Sequence, residues 1–262
     1  MKVAFVEKPG EARARSLAQA LRAWLEERGS QVVPIAEAEL VVALGGDGTL
    51  LHAARALVGS KARLLGINLG RLGFLADVPP ERATDALEDV LAGRAGVRRL
   101  AAVSVEADAV RDHAINDVVL YRGASPKLIE FELYAGGSFV FRLRGDGLIV
   151  ATPAGSTAYA LSAGGPIVHS EVSALTVAPI CPHTLSNRPI VLPETTPLEL
   201  VLLSDSGLLS VDGRAPTALK RQARVHLRAA GSVALVRWPG AEEFAVLRTK
   251  LGWAGHRAGD AG

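Results

Sequence analysis

The segment Gly45-Gly46-Asp47-Gly48-Thr49-Leu50-Leu51 places three glycines and a hydroxyl around one carboxylate. Glycine permits positive φ and close approach of a ligand, so bare backbone N–H groups can meet an anion at the start of a helix. Phosphate is the commonest anion held this way. Asp47 runs against that charge logic. A carboxylate beside a phosphate is repulsive unless a metal ion or a transferable proton accounts for it. Three further clusters repeat the mixture of small, hydroxyl-bearing and acidic residues. The longest runs from Arg144-Gly145-Asp146-Gly147 through Ser156-Thr157-Ala158-Tyr159-Ala160-Leu161-Ser162 to Val168. Its small residues bury little area, and they let a flat ligand approach hydroxyls and amides. Asn116-Asp117 interrupts the apolar strand Ala114–Val119, and Asn68–Leu75 is a strand end punctuated by Gly70 and Gly73. Taken singly, each of these also fits an ordinary turn or bulge.

The elements that must position these groups follow from periodicity. Lys2–Val6, Gln31–Ile35, Leu40–Leu44 and Arg63–Leu69 read as strands. They alternate with helices expected over Glu11–Arg28, Leu50–Val58 and about Glu81–Leu91, with Gly29 at a C-cap position. Such alternation implies a parallel sheet covered by helices, with ligands beyond the carboxyl ends of the strands. After Gly96 the pattern becomes mostly β. Strands are expected at 97–108, 114–121, 128–135, 138–150, 173–180, 198–204, 208–211, 224–229 and 233–238, with a hairpin turn at Gly136-Gly137. The fold class read here is therefore α/β plus β. An N-terminal α/β domain with a parallel sheet (1–96) precedes a β-rich, sandwich-like domain (97–240).

Composition limits the alternatives. The 262 residues carry a net charge of +2 and are 49% hydrophobic, a balance that argues against bulk nucleic-acid binding. Cys181 is the only cysteine, so no intrachain disulfide forms, which fits a reducing cytosol. No apolar run reaches the roughly 20 residues of a membrane span. Neither Gly-x-x-x-x-Gly-Lys-[Ser/Thr] nor Gly-x-Gly-x-x-Gly after the first strand is present, so the phosphate chemistry is built differently from a P-loop or a standard dinucleotide fold. Cys181, His183 and His169 lack zinc-ligand spacing, and no metal ligands are assigned.

GGDGTLL, NLGRLGFL, AINDVVL, DGLIVATPAGSTAYALSAGGPIV, ICPHTLSNRPIVLP and LRTKLGW stand in this order from Val41 to Trp253. In order and spacing they resemble the bacterial NAD kinases. GGDG alone is shared with 6-phosphofructokinases and with diacylglycerol and sphingosine kinases; the stretch 146–168 makes the likeness specific. Ala154 stands where a Thr is common in that family.

The resemblance implies phosphoryl transfer from ATP, or polyphosphate, to the 2′-hydroxyl of the adenosine ribose of NAD. Asp47 would accept the hydroxyl proton or organise Mg²⁺ or another divalent cation. Gly45, Gly46, Gly48 and Thr49 would hold phosphates. His52 and Phe74 would face the ligand. Asn116 and Asp117 would hold the NAD ribose and base, with Asp117 standing where many members have Glu. Thr157, Ala158, Tyr159, Ala160, Leu161 and Ser162 would line the dinucleotide pocket. Lys127, Arg144 and Asp146 would lie near ribose and phosphates, and Arg214 follows a turn where some relatives carry Gln. The resemblance further implies a site between the two domains, a C-terminal segment (241–262) returning to the first domain, a cytoplasmic homodimer or homotetramer, and no nucleic-acid or membrane partner. A lipid kinase of the diacylglycerol type and a catalytically idle NAD(P)-binding sensor are the competing readings.

Overall fold

The structure, a computed structural model, describes residues 1–70, 73–108, 110–184, 187–238 and 243–253. The chain divides into two compact units. One comprises Met1–Ala53, Ala62–Val97 and the chain from Leu235; the other comprises Ala54–Lys61 and Arg98–Ala234.

The first unit contains β1 (Lys2–Glu7), α1 (Ala12–Glu26), β2 (Gln31–Val32), β3 (Leu40–Gly45), most of α2 (Asp47–Ala56), β4 (Arg63–Asn68) and α3 (Ala83–Leu91). Its strands are parallel in the order β2-β1-β3-β4. Every residue of β3 is buried, as expected for a central strand of a parallel sheet covered on both faces. The helix α1 buries Ala14, Ala18, Leu21 and Leu25, a stripe at helical spacing, and Gly29 at φ +72 closes the turn after it. These side chains join Leu40, Val42, Leu44, Leu65, Ile67 and Leu87 in one core. The expected strand 31–35 is shorter than its sequence suggests, because a 3-10 turn at Ile35–Glu37 follows Pro34.

The second unit begins with β5 (Gly96–Ala107), β6 (Val110–Ala114), β7 (Asp117–Tyr121), β8 (Ile129–Ala135), β9 (Ser138–Gly145) and β10 (Gly147–Ala151). A 3-10 turn at Ala154–Thr157 leads into the one-turn α4 (Tyr159–Ser162). Next come β11 (Ala174–Ile180), β12 (Ile190–Pro193), β13 (Leu198–Leu202), β14 (Ser206–Val211), β15 (Thr217–Lys220) and β16 (Arg224–Arg237). The helix α5 (Glu243–Leu251) follows in the part of the chain from Leu235 that belongs to the first unit. One antiparallel sheet has the order β12-β11-β10-β7-β14-β15. The other runs β16-β13-β8-β9, with β5 beside β16 and β6 beside β5. Val118, Leu120 and Leu148 of the first sheet and Phe131, Leu133, Leu200 and Val225 of the second share one core, the arrangement of a β-sandwich. Gly136 and Gly137, both at positive φ, make the β8–β9 hairpin turn.

Three segments depart from the sequence-based expectation. Within residues 114–121 only Asp117–Tyr121 form a strand of their own, Ala114 being the last residue of β6, which starts at Val110, and residues 138–150 form two strands broken at Asp146. Residues 224–229 and 233–238, expected as separate strands, belong to the single strand β16, which passes through Gly231 at φ +88. The strands β12 and β15 and the helix α5 had no counterpart in the sequence reading.

Candidate functional site

In the first unit the carboxyl ends of β3 and β4 lie side by side, with Gly45 in register with Asn68. Asp47 is the first residue of α2, separated from the end of β3 by Gly46 alone. The first amides of a helix have no acceptor within it, so Gly46, Asp47 and Gly48 sit where a phosphate is favoured. The Thr49 hydroxyl lies over Gly45, where a Cβ would collide with it. His52 is exposed on the same helix.

Among the described residues, the Asp47 side chain is held by backbone amides alone. Its Oδ2 accepts from the amide of Phe74 at 2.8 Å, and its Oδ1 accepts from those of Leu75 at 3.1 Å and Ala76 at 3.0 Å. The loop that supplies them folds back onto β4. The Asn68 amide donates to the Val78 carbonyl at 2.8 Å, and Asn68 Nδ2 donates to the Ala76 carbonyl at 3.3 Å. A Cβ on Gly73 would fall on Asp47 Oδ1, so only glycine permits this approach. A carboxylate has about four acceptor positions. Three are occupied, and the remaining one belongs to Oδ2. The Phe74 ring carries Lys250 Nζ at 4.3 Å from its centroid.

In the second unit a cavity of about 660 Å³ opens where three strand ends meet. Asp117 starts β7, Ala151 opposite it ends β10, and Val211 opposite Val118 ends β14. Asn116, Asp117, Ala158, Tyr159 and Arg214, all singled out from the sequence, line this cavity together with Ser210. Asn116 Oδ1 is buried with no hydrogen-bond partner among the described residues, the condition of an acceptor that waits for a donor. Asp117 is 5% exposed, and burial, reinforced by the charge of Asp212, pushes its pKa up to about 6. Arg214 pairs with Asp112, while burial and the nearby Arg55 hold its pKa below the usual value. Two acceptors, a hydroxyl, a guanidinium and two tyrosine rings (Tyr121 and Tyr159) suit a ligand with hydroxyl groups, a flat ring and negative charge.

Other residues singled out from the sequence are placed elsewhere. The Thr157 hydroxyl donates to the Ala154 carbonyl at 3.1 Å. Ala160 is fully buried beside Val119, Ile149 and Ala178. Leu161 is partly buried and Ser162 exposed on α4. Lys127 and Arg144 are exposed, and Asp146 is paired with Arg122 at 2.6 Å. Gly73 and Leu75 stood in the sequence only as part of the glycine-punctuated strand end 68–75, and Ala76, Arg55, Tyr121, Ser210 and Asp212 were not singled out. The turn before Arg214, made by Asp212-Gly213, is the one sequence signal that points to Asp212. Among the described residues, no three His, Cys, Asp or Glu side chains gather to hold a metal. No helix of the described chain is long and apolar enough to cross a membrane.

Comparison with known proteins brings both units under one heading. The family described as ATP-NAD kinase N-terminal domain matches residues 34–95, and its C-terminal counterpart matches residues 115–237. A protein named NAD kinase from Nitrosomonas europaea is 43% identical over 88% of this chain and 78% of its own length. Another, from Geobacter metallireducens, is 39% identical over 96% and 98%. Among solved structures, yeast NADH kinase complexed with NADH superposes with a TM-score of 0.88 at 25% identity, covering 98% of this chain and 89% of that one. An NAD kinase from Archaeoglobus fulgidus in complex with ATP gives 0.80 at 26%, covering 97% and 100%.

Proposed function

The chain belongs to the ATP-NAD kinase family, and on that footing we propose that it transfers the γ-phosphoryl group of ATP to the 2′-hydroxyl of the adenosine ribose of NAD, giving NADP. The observation that carries the proposal is Asp47. It stands at the start of a helix, where the first amides find no acceptor within the helix, and its Oδ2 keeps one acceptor position. Phosphoryl transfer passes through a loose transition state that needs alignment and charge compensation more than covalent help. The protein's contribution is to orient the hydroxyl and to take its proton, at Asp47 Oδ2. The glycine-flanked amides of residues 46–48 receive the phosphates, with the Thr49 hydroxyl and Gly45 beside them. Asn116 and Asp117 accept from ribose hydroxyls or base amino groups, Tyr159 offers a ring face, and Arg214 offers positive charge to the pyrophosphate.

A divalent cation fits this donor set only as a passenger of the nucleotide. One carboxylate beside phosphate oxygens is enough for Mg²⁺, and Asp47 is the carboxylate that would hold it. Bound there, the cation offsets charge on the phosphates. Cytosolic residence, suggested by the lone Cys181, and a homodimer or homotetramer belong to the same proposal, and sedimentation velocity giving only the monomer mass would refute the second.

The diacylglycerol-type alternative is set aside, since the family matches fall on both the GGDGT unit and the β-rich unit. The deciding assay supplies NAD, ATP and Mg²⁺ and scores NADP with an NADP-specific dehydrogenase. Parallel runs replace ATP by polyphosphate and NAD by diacylglycerol. NADP formation is expected; a phosphorylated lipid with NAD untouched refutes the proposal.

A further inference from the structure

Asp212 is a carboxylate for which the proposed reaction has no direct use. Its side chain has no exposure to solvent, and its backbone sits at φ +49, in the left-handed region. The carboxylate collects donors from distant parts of the chain. Both oxygens lie 3.1 Å from the Ile115 amide, and Oδ1 accepts from Asn116 at 2.8 Å and Asp117 at 3.1 Å. Arg55, itself largely buried, donates to Oδ2 at 3.3 Å. In return the Asp212 amide donates to the Asp117 carbonyl at 2.9 Å.

The same three residues are gripped from the carbonyl side. Thr152 Oγ1 donates to the Ile115 carbonyl at 2.5 Å, and the Thr152 amide donates to that of Asn116 at 2.9 Å. Gly155 packs so closely that a Cβ there would fall on the Asn116 carbonyl. A strand that continued from β6 into β7 would turn successive side chains to opposite faces. The break instead brings the adjacent Asn116 and Asp117 to line one cavity.

Resting on the NAD kinase reading, we infer that Asp212 is the positioning residue of the dinucleotide site: by gripping the amides of residues 115–117 it holds the strand break and so aims Asn116 and Asp117 into the cavity. Arg55 balances the buried charge, so that a carboxylate can sit beside Asp117. The charged and titratable groups around Asp117 are Asp212, Arg214, Tyr121 and Tyr159, with Arg55 and Asp112 paired to the first two. Removing the charge of Asp212 therefore also eases ionisation of Asp117.

Two variants test this. Asp212→Asn keeps the size and removes the charge. Asp212→Gly deletes the carboxylate while placing at φ +49 the residue best suited to it, so a purely conformational role predicts little effect. The expected result for both is a KM for NAD raised about 10- to 100-fold, the loss that follows from a misplaced binding group, with the KM for ATP within about twofold. In Asp212→Asn the acid limb of kcat/KM for NAD moves to lower pH. Lower kcat with unchanged KM for NAD and an unmoved acid limb overturns the inference. Amide hydrogen exchange at residues 115–117, measured without substrate, separates this from the wider reading. Faster exchange in the variants supports the positioning even if the wild type leaves NAD unphosphorylated, and unchanged exchange overturns it whatever the activity.

Discussion

Asp117 carries its charge at a place that penalises it. With its pKa raised from 3.8 to about 6, the folded chain favours the neutral form, so the penalty is full above about pH 6 and absent below 3.8. A shift of that size corresponds to about 3 kcal/mol as an upper figure. Asp117→Asn is therefore expected to raise the unfolding midpoint at pH 7.5, with the gain vanishing by about pH 4, while KM for NAD rises. Denaturant titrations at the two pH values check the first part and steady-state kinetics the second. Such an exchange of stability for a working acceptor is common at functional sites. Asp47 is the opposite case, with three amides matched to its oxygens. In Asp47→Asn an amide nitrogen must face one of those donors, and the proton acceptor is gone. A loss of kcat of about 10² or more is expected from the missing base alone. Near-wild-type turnover in that variant excludes both the base and the metal-organising role.

At the scale of elements, the strand–helix alternation of the first unit was legible because it rests on local periodicity. Lys2–Val6, Leu40–Leu44 and Arg63–Leu69 fall within a residue or two of β1, β3 and β4. The breaks were not legible. Residues 114–121 look like one apolar run, and what interrupts them is a carboxylate 95 to 97 positions later in the chain. Nothing in a period-2 pattern reports a partner at that distance. The same holds at Asp47, whose donors lie 27 to 29 positions on and are backbone groups that every residue type except proline provides. Gly73 marks that loop by what it lacks. Gly73→Ala would push a methyl group onto Asp47 Oδ1 and displace the acid. Turnover is expected to fall about 10²-fold, as misplacement of a catalytic group does. NAD binding, measured by calorimetry, should change little, and equal losses in both would show that the loop serves binding instead.

For the whole molecule, the order of motifs from Val41 to Trp253 was enough to indicate the family, and both family matches and two superposed structures agree with it. The motif residues do not all line the one cavity. Asn116, Asp117, Tyr159 and Arg214 line the cavity, whereas Lys127, Arg144 and Asp146 are exposed or paired elsewhere. A ligand that binds only the folded chain raises its stability by mass action, about 2.7 kcal/mol at 100 times the Kd. NAD is thus expected to raise the thermal midpoint of the wild type and of Asp47→Asn alike, because the cavity proposed for it is lined without Asp47. Loss of the shift in that variant would make Asp47 a binding residue.

The amide grip on Asp47 also bears on how the sequence around it can drift. A side chain held by other side chains ties the identity of several positions to its own. Here the grip is made of main chain, so residues 74–76 can be exchanged as their packing allows without loosening the acid, provided none becomes proline. In descendants of this chain, residues 74–76 can vary within the limits of their packing so long as each keeps an amide to donate, whereas Gly73 is fixed by the space the acid occupies.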